Sequence, residues 1–422
     1  MSDVYFDSSI QTEYLDPVSF VPGLRCRFEL DGTKMAYLSN MRLLDIGVVS
    51  GSLHTYNRGL GALALIKNIR LLDGRTELSA LRNPAQYLFF KNANRTNAIN
   101  DSNDGYLKRH QLGFQVKEID NKIATIFNRG QADTTDANTA KAYLDLREVF
   151  PILNTLRVLP TELFQNLQIE IEFNPKERDV LADTSSGIAP VRPILAVDTI
   201  SNEVMVRQEI NAIAKNGVVW DEIEWDSFVI PAVDTSGFGA AITATQSVAN
   251  QSLGFKGKYV ERLLLCKQLQ DITKGSTGTI QNGFGGVASS QSLLNQTTQY
   301  RLNGKNVLPG FNGISGQNER LGVLSDEWGS VNSYPGSNLY AWSKGLENVE
   351  NGDKLNGQMS WDCVRLGARV ADLVVNISRT NNLDASAQAA TNDGIVCNLY
   401  GEVRKAMALG ASAGASYRIV YA

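Results

Sequence analysis

At 422 residues the chain exceeds what one ordinary core accommodates, so two or three domains are expected. Hydrophobic residues make up 43% and charged residues 20%, a normal globular balance that argues against disorder. The net charge is −4, and Asp3, Asp7, Glu13 and Asp16 precede the first basic residue, Arg25; without a basic arm, direct nucleic-acid binding is not expected.

In chain order, residues 1–24 read as an acidic N-terminal arm that Tyr5, Phe6 and Tyr14 could anchor. Arg25-Cys26-Arg27-Phe28-Glu29-Leu30 then alternates polar and apolar residues, the period of a half-buried strand. Met41-Arg42-Leu43-Leu44 reads as another strand, and Arg70-Leu71-Leu72-Asp73-Gly74-Arg75 as a strand running into a tight Asp-Gly turn. Asn83-Pro84 predicts a helix start leading into residues 85–91. A short helix or pair of turns is expected over 147–166, interrupted by Pro151 and Pro160. Leu167-Gln168-Ile169-Glu170-Ile171-Glu172-Phe173 gives the clearest alternation: a strand places its four apolar side chains on one face, whereas a helix would scatter them.

The domain boundary is expected near 205–220, within residues 208–218. Beyond it, Glu222-Ile223-Glu224-Trp225-Asp226 alternates again, and residues 233–256 read as a long loop. Leu263-Leu264-Leu265-Cys266 is apolar on both faces, as for a strand covered on each side. A second long loop, 271–299, is rich in Gly, Ser, Thr, Gln and Asn; both loops suit an exposed surface or a subunit contact. Arg301-Leu302-Asn303-Gly304-Lys305 repeats the strand-and-turn pattern of 70–75, Leu373-Val374-Val375-Asn376-Ile377 repeats that of 167–173, and a last strand covers 417–421. The halves thus echo each other, which favours a duplicated fold. Strands with little helix point to sandwiches or barrels, divided as arm 1–24, first domain 25–215 and second domain 216–422.

No reactive centre emerges. Gly410-Ala411-Ser412-Ala413-Gly414 fits a nucleophile elbow, yet only ten positions remain in the chain after Ser412 and none is His or acidic, so it reads as a turn. Gly59-Leu60-Gly61-Ala62-Leu63-Ala64 and Gly283-Phe284-Gly285-Gly286-Val287-Ala288 lack the helix or the acid of a dinucleotide site and read as loops. The two histidines, His54 and His110, join no cluster with metal-ligand spacing. Asp101, Asp104 and Glu118 lack the order of a calcium loop. Glu170 and Glu172 read as outer-face positions of one strand rather than an acid/base couple. No catalytic, cofactor-binding or metal-ligating residue is assigned, and no enzyme is expected. Cys26, Cys266, Cys363 and Cys397 are far apart and read as reduced thiols. The N-terminus lacks the pattern of a signal peptide and no apolar run approaches the ~20 residues of a membrane helix. Synthesis and folding inside a cell, without secretion, are expected.

Tyr143-Leu144-Asp145-Leu146, then Arg147-Glu148-Val149-Phe150-Pro151, then Val158-Leu159-Pro160 and the strand at 167–173 resemble the end of the first jelly roll in double jelly-roll major capsid proteins. That lineage includes polinton-like viruses, virophages and nucleocytoplasmic large DNA viruses. Pro193-Ile194-Leu195-Ala196-Val197-Asp198 and the segment from Trp225 to Pro231 are similar to the passage between the two jelly rolls. The resemblance is strongest over 143–231 and rests on element order elsewhere. It implies a mainly β fold of two tandem eight-stranded antiparallel jelly-roll sandwiches with a few short helices. It further implies a homotrimeric, pseudo-hexameric capsomer tiling the icosahedral shell of a DNA virus. The partners would be the chain itself, neighbouring capsomers, penton and minor capsid proteins, with an internal membrane as a further candidate. The rival from another class is a two-domain β-sandwich adhesin or carbohydrate-binding module.

Overall fold

The computed structural model describes residues 10–30, 36–49, 63, 65–93, 142–156, 158–174, 189–200, 203–231, 242–269, 297–314, 323, 360–383, 395–409 and 417–421. The fold is mainly β, and the named strand pairs are antiparallel.

The first lobe runs β1 (Ile10–Leu15), β2 (Ser19–Val21), β3 (Arg25–Glu29), β4 (Ala36–Ile46), β5 (Val48–Val49), β6 (Ile66–Asp73), β7 (Thr76–Arg82), β8 (Ala142–Asp145), β9 (Val158–Leu159), β10 (Leu167–Phe173), β11 (Ala189–Pro190) and β12 (Ile194–Ile200). One sheet has the order β1-β12-β4-β8, with β9 on β4; the other has β2-β3-β10-β6-β7, and β11 and β5 form a small ribbon. The second lobe runs β13 (Val218–Ile230), β14 (Ile242–Ser252), β15 (Tyr259–Leu269), β16 (Thr297–Leu302), β17 (Lys305–Asn306), β18 (Ser360–Arg369), β19 (Leu373–Leu383), β20 (Ile395–Leu409) and β21 (Tyr417–Tyr421). Its sheets are β13-β20-β15-β18, with β21 on β20, and β14-β19-β16-β17.

Counting β1, β3, β4, β6, β7, β8, β10 and β12 as strands one to eight of the first lobe, its sheets read 1-8-3-6 and 2-7-4-5. The second lobe, counted from β13 to β20, reads the same. This is the order of a jelly roll, stated twice. The echoes in the sequence fall on matching strands. Residues 41–44 and 261–264 lie in strand three of each lobe, the turns after 70 and 301 join strands four and five, and 167–173 and 373–377 lie in strand seven.

Local chemistry explains these elements. In β10, Leu167, Ile169, Ile171 and Phe173 are buried while Glu170 and Glu172 stay half-exposed. Their carboxylates face neighbouring β6, where Arg70 pairs with Glu170, and Lys67 meets Glu172 at 2.8 Å. The turn Asn303-Gly304 joins Leu302 to Lys305 with both central residues at positive φ, +50° and +81°, the backbone that a type I′ hairpin requires and Asn-Gly favours. Helix α1 (Pro84–Ala93) begins at the expected proline, after Asn83 in the left-handed region at φ +46°. Over 147–166 the chain makes a 3-10 turn (Leu146–Glu148), the short helix α2 (Ile152–Thr155) and a second 3-10 turn (Thr161–Leu163).

Three expectations need correction. The segment expected as an arm contains β1 and β2, and β1 pairs along its whole length with β12. Loop 233–256 contains the eleven-residue β14, whose polar sequence ITATQSVANQS hid it; it pairs along one side with β19 as the edge of its sheet, so apolar alternation is not enforced. Its irregularity between Val248 and Gln251, where Asn250 has φ +54°, breaks the period further. The boundary region is the fourteen-residue helix α3 (Glu203–Asn216), longer than the short helices expected. It turns Val206 and Ile213 inward with Ile210 half-buried between them, a helical spacing easily read as a linker. Of loop 271–299, residues 297–299 belong to β16 and the rest lies outside the described residues. So do His54, His110, Asp101, Asp104, Glu118 and the glycine motifs, apart from Leu63.

Candidate functional site, the seam between the lobes

The 1-8-3-6 sheet of the second lobe is buried on both faces. Leu263, Leu265, Val364, Cys397 and Leu399 turn into the core of their own lobe. Leu264, Cys266, Cys363 and Tyr400 turn the other way and join the core cluster of the first lobe. The double-sided apolar run at 263–266 therefore has its physical cause: this sheet is the shared wall. Each leucine or valine among them, withdrawn from water, contributes roughly 1.5–3 kcal/mol.

Polar groups set the register across the wall. The Tyr400 hydroxyl, on β20, donates toward Gln86 Oε1 at 3.1 Å and toward the Asn83 carbonyl oxygen at 3.2 Å. Asn398 Nδ2 donates to the same Gln86 oxygen at 2.9 Å. The Tyr87 and Tyr400 rings lie 5.7 Å apart, and burial pushes both phenols upward in pKa. At one end, Ser79 Oγ of β7 donates to Glu222 Oε1 at 2.7 Å, and Trp220 Nε1 donates to Glu222 Oε2 at 2.8 Å. Burial pushes the Glu222 carboxyl up to about 6, against the opposing pull of Lys405 and these two donors. The Arg82 guanidinium stacks 4.8 Å over Trp225.

Strand β21 straps the seam. It pairs with β20, yet its Tyr417 hydroxyl donates to Asp73 Oδ2 in the β6–β7 turn at 2.8 Å, and its ring meets Phe164 edge-on at 5.4 Å. Burial and Asp73 raise the Tyr417 pKa. At its other end Tyr421 bonds Glu224, which also pairs with Lys258 and lies 3.5 Å from Lys405. Burial raises the Glu224 pKa, but the Lys258 and Tyr421 hydrogen bonds and the two lysine charges more than offset it, so the net shift is downward.

The outer face of the second lobe's 2-7-4-5 sheet holds a groove of about 760 Å³, lined by Val248, Gln299, Arg301, Lys305, Phe311 and Asn376 among others. Among the described residues no group of His, Cys, Asp or Glu has the arrangement of a metal site, and no helix is long and apolar enough to cross a membrane. All four cysteines are buried, Cys266 and Cys363 at the wall itself. Sequence reasoning found the wall strand but missed Glu222, Gln86 and Tyr400, because their partners lie far away in the chain. Gln86 and Asn398 are 312 positions apart.

No family model matches the chain, and no curated protein is similar to it in sequence. Solved structures are similar in fold. A chain of the Sputnik virophage structure superposes with a TM-score of 0.55 at 10% identity, covering 98% of this chain and 88% of that one. The mavirus major capsid protein gives 0.54 at 9% identity, over 98% and 90%. A chain of the PBCV-1 virus capsid gives 0.52 at 10% identity, over 98% and 97%. With the strand order 1-8-3-6 and 2-7-4-5 repeated in both lobes and these superpositions nearly complete, the chain has the double jelly-roll fold of viral major capsid proteins.

Proposed function

We propose that the chain is a structural major capsid protein, three copies of which form a capsomer of six lobes that tiles an icosahedral shell. The observation that carries this reading is the duplicated jelly roll fused through a buried wall, which makes one chain a rigid two-lobed tile. A closed ring of three such tiles presents six similar lobes and so approximates a hexagon. The work is done by surface area and not by a reactive centre, in keeping with a seam whose polar side chains are occupied in holding the lobes together. The proposed partners are further copies of the chain, neighbouring capsomers, and the penton and minor capsid proteins of the same virion.

Light scattering on the purified chain tests this. The expected mass is three times the 46.1 kDa of one chain, with sheets or shells in micrographs at higher concentration. A monodisperse monomer that binds glycans would instead identify a carbohydrate-binding or adhesin-like module.

A further inference from the structure

Because the two lobes repeat one strand order, their registers match positions residue by residue. In the first lobe Asp73 pairs with Thr76 across its hairpin and lies opposite Leu167; in the second, Leu302 pairs with Lys305 and lies opposite Leu373. Counting back from that match, Arg70 opposite Glu170 corresponds to Gln299 opposite Asn376. Asn68 opposite Glu172 likewise corresponds to Thr297 opposite Ser378. The outer face of the first lobe's 2-7-4-5 sheet thus carries two acids that its own cations occupy, Arg70 on Glu170 and Lys67 on Glu172. The same face of the second lobe has an amide and a hydroxyl in their places.

That exchange falls on the groove. Asn376 and Ser378 form its floor, flanked by Ser247 and Asn250 of β14 and by Thr297 of β16, and no acid lines it. The Asn250 backbone N–H donates to Asn376 Oδ1 at 2.6 Å, which fixes the orientation of that amide. At the hairpin end stand Arg301 and Lys305, both exposed, and among the described residues neither has an ion-pair partner. The structure assigns this groove to an acidic oligosaccharide, its ring hydroxyls on the floor and its carboxylate or sulfate against Arg301 and Lys305. Amide and hydroxyl side chains both donate and accept, as sugar hydroxyls do, and a guanidinium matches a planar pair of anionic oxygens. A volume of about 760 Å³ suits a ligand of a few sugar rings. Two cations answer one or two acidic groups, whereas a nucleic acid, charged at every phosphate, calls for a longer basic track. Joining lobes leaves this face open. Thr76 and Leu72, the first-lobe counterparts of Lys305 and Arg301, stay exposed and half-buried although β7 is seamed to the second lobe.

The site lies within one chain and goes beyond the capsomer reading, so each can fail alone. Titration calorimetry on the full chain, in whatever assembly it forms, uses four probes: a heparin-derived tetrasaccharide, its desulfated form, uncharged cellotetraose and inorganic tripolyphosphate. At least one acidic tetrasaccharide is expected to bind at least tenfold more tightly than cellotetraose or tripolyphosphate, and the tighter of the two names the anion as sulfate or carboxylate. Arg301→Ala should weaken that binding at least tenfold at unchanged melting temperature. Asn376→Glu, which puts the first lobe's acid at the matching position, should do the same, while Glu172→Gln in the first lobe leaves binding intact. No binding of either acidic sugar, tripolyphosphate binding as tightly as the sugars, or undiminished binding in both groove variants overturns the assignment. Binding by a chain that stays monomeric upholds the groove and overturns the capsomer.

Discussion

Glu222 is a carboxylate that folding places almost out of water, 1% exposed, between a serine of one lobe and a tryptophan of its own. Its pKa is raised by burial from 4.5 to about 6, so the folded chain holds the proton more tightly than the unfolded chain does. The linked stabilisation is fully present below pH 4.5 and is lost as pH rises through about 6, a change of roughly 2 kcal/mol. Urea titrations at pH 4.5 and pH 7 should show that loss in the parent and not in Glu222→Gln; parallel losses would mean the group does not titrate there. Tyr400→Phe removes a donor from Gln86 and the Asn83 carbonyl without emptying space, and is expected to cost about 1 kcal/mol in the same titration. Gly401 differs: a Cβ there would sit 2.5 Å from Cε1 of the buried Phe255 ring. Gly401→Ala is therefore expected to destabilise by about 1–3 kcal/mol through forced repacking, again read from the urea midpoint.

Elements differ in how openly the sequence declares them. Strand β10 is legible because it has one buried and one wet face, and that contrast is written residue by residue from Leu167 to Phe173. Strand β15 is legible for the opposite reason, since burial on both faces removes polar positions from Leu263 to Cys266. Strand β14 is not, because an edge strand beside an open groove is under little pressure to alternate. Helix α3 is obscured by its charged face, and only Val206, Ile210 and Ile213 betray it. The hairpin at Asn303-Gly304 offers a test at this scale. Gly304→Val places a β-branched residue at φ +81°, where it is badly strained, and is expected to cost more than about 1 kcal/mol of stability by urea titration.

For the whole molecule, the decisive feature is that the cluster lining the first lobe continues into the second through Trp220, Leu264, Cys266 and Tyr400. A shared core ties the two lobes into one cooperative unit, and heat should unfold them in a single calorimetric transition; two separated transitions would show that the wall is a loose contact. The division into two similar halves was readable from strand and turn order. The wall was readable as a strand covered on each side, but what covers its second face was not, because those contacts span most of the chain. The strap at β21 adds a temporal consequence. During synthesis this strand follows every other described strand, so both sandwiches can be complete while Asp73 still awaits Tyr417. The clasp thus closes after the strands it fastens have been made, so it locks a seam whose two sides can already be paired.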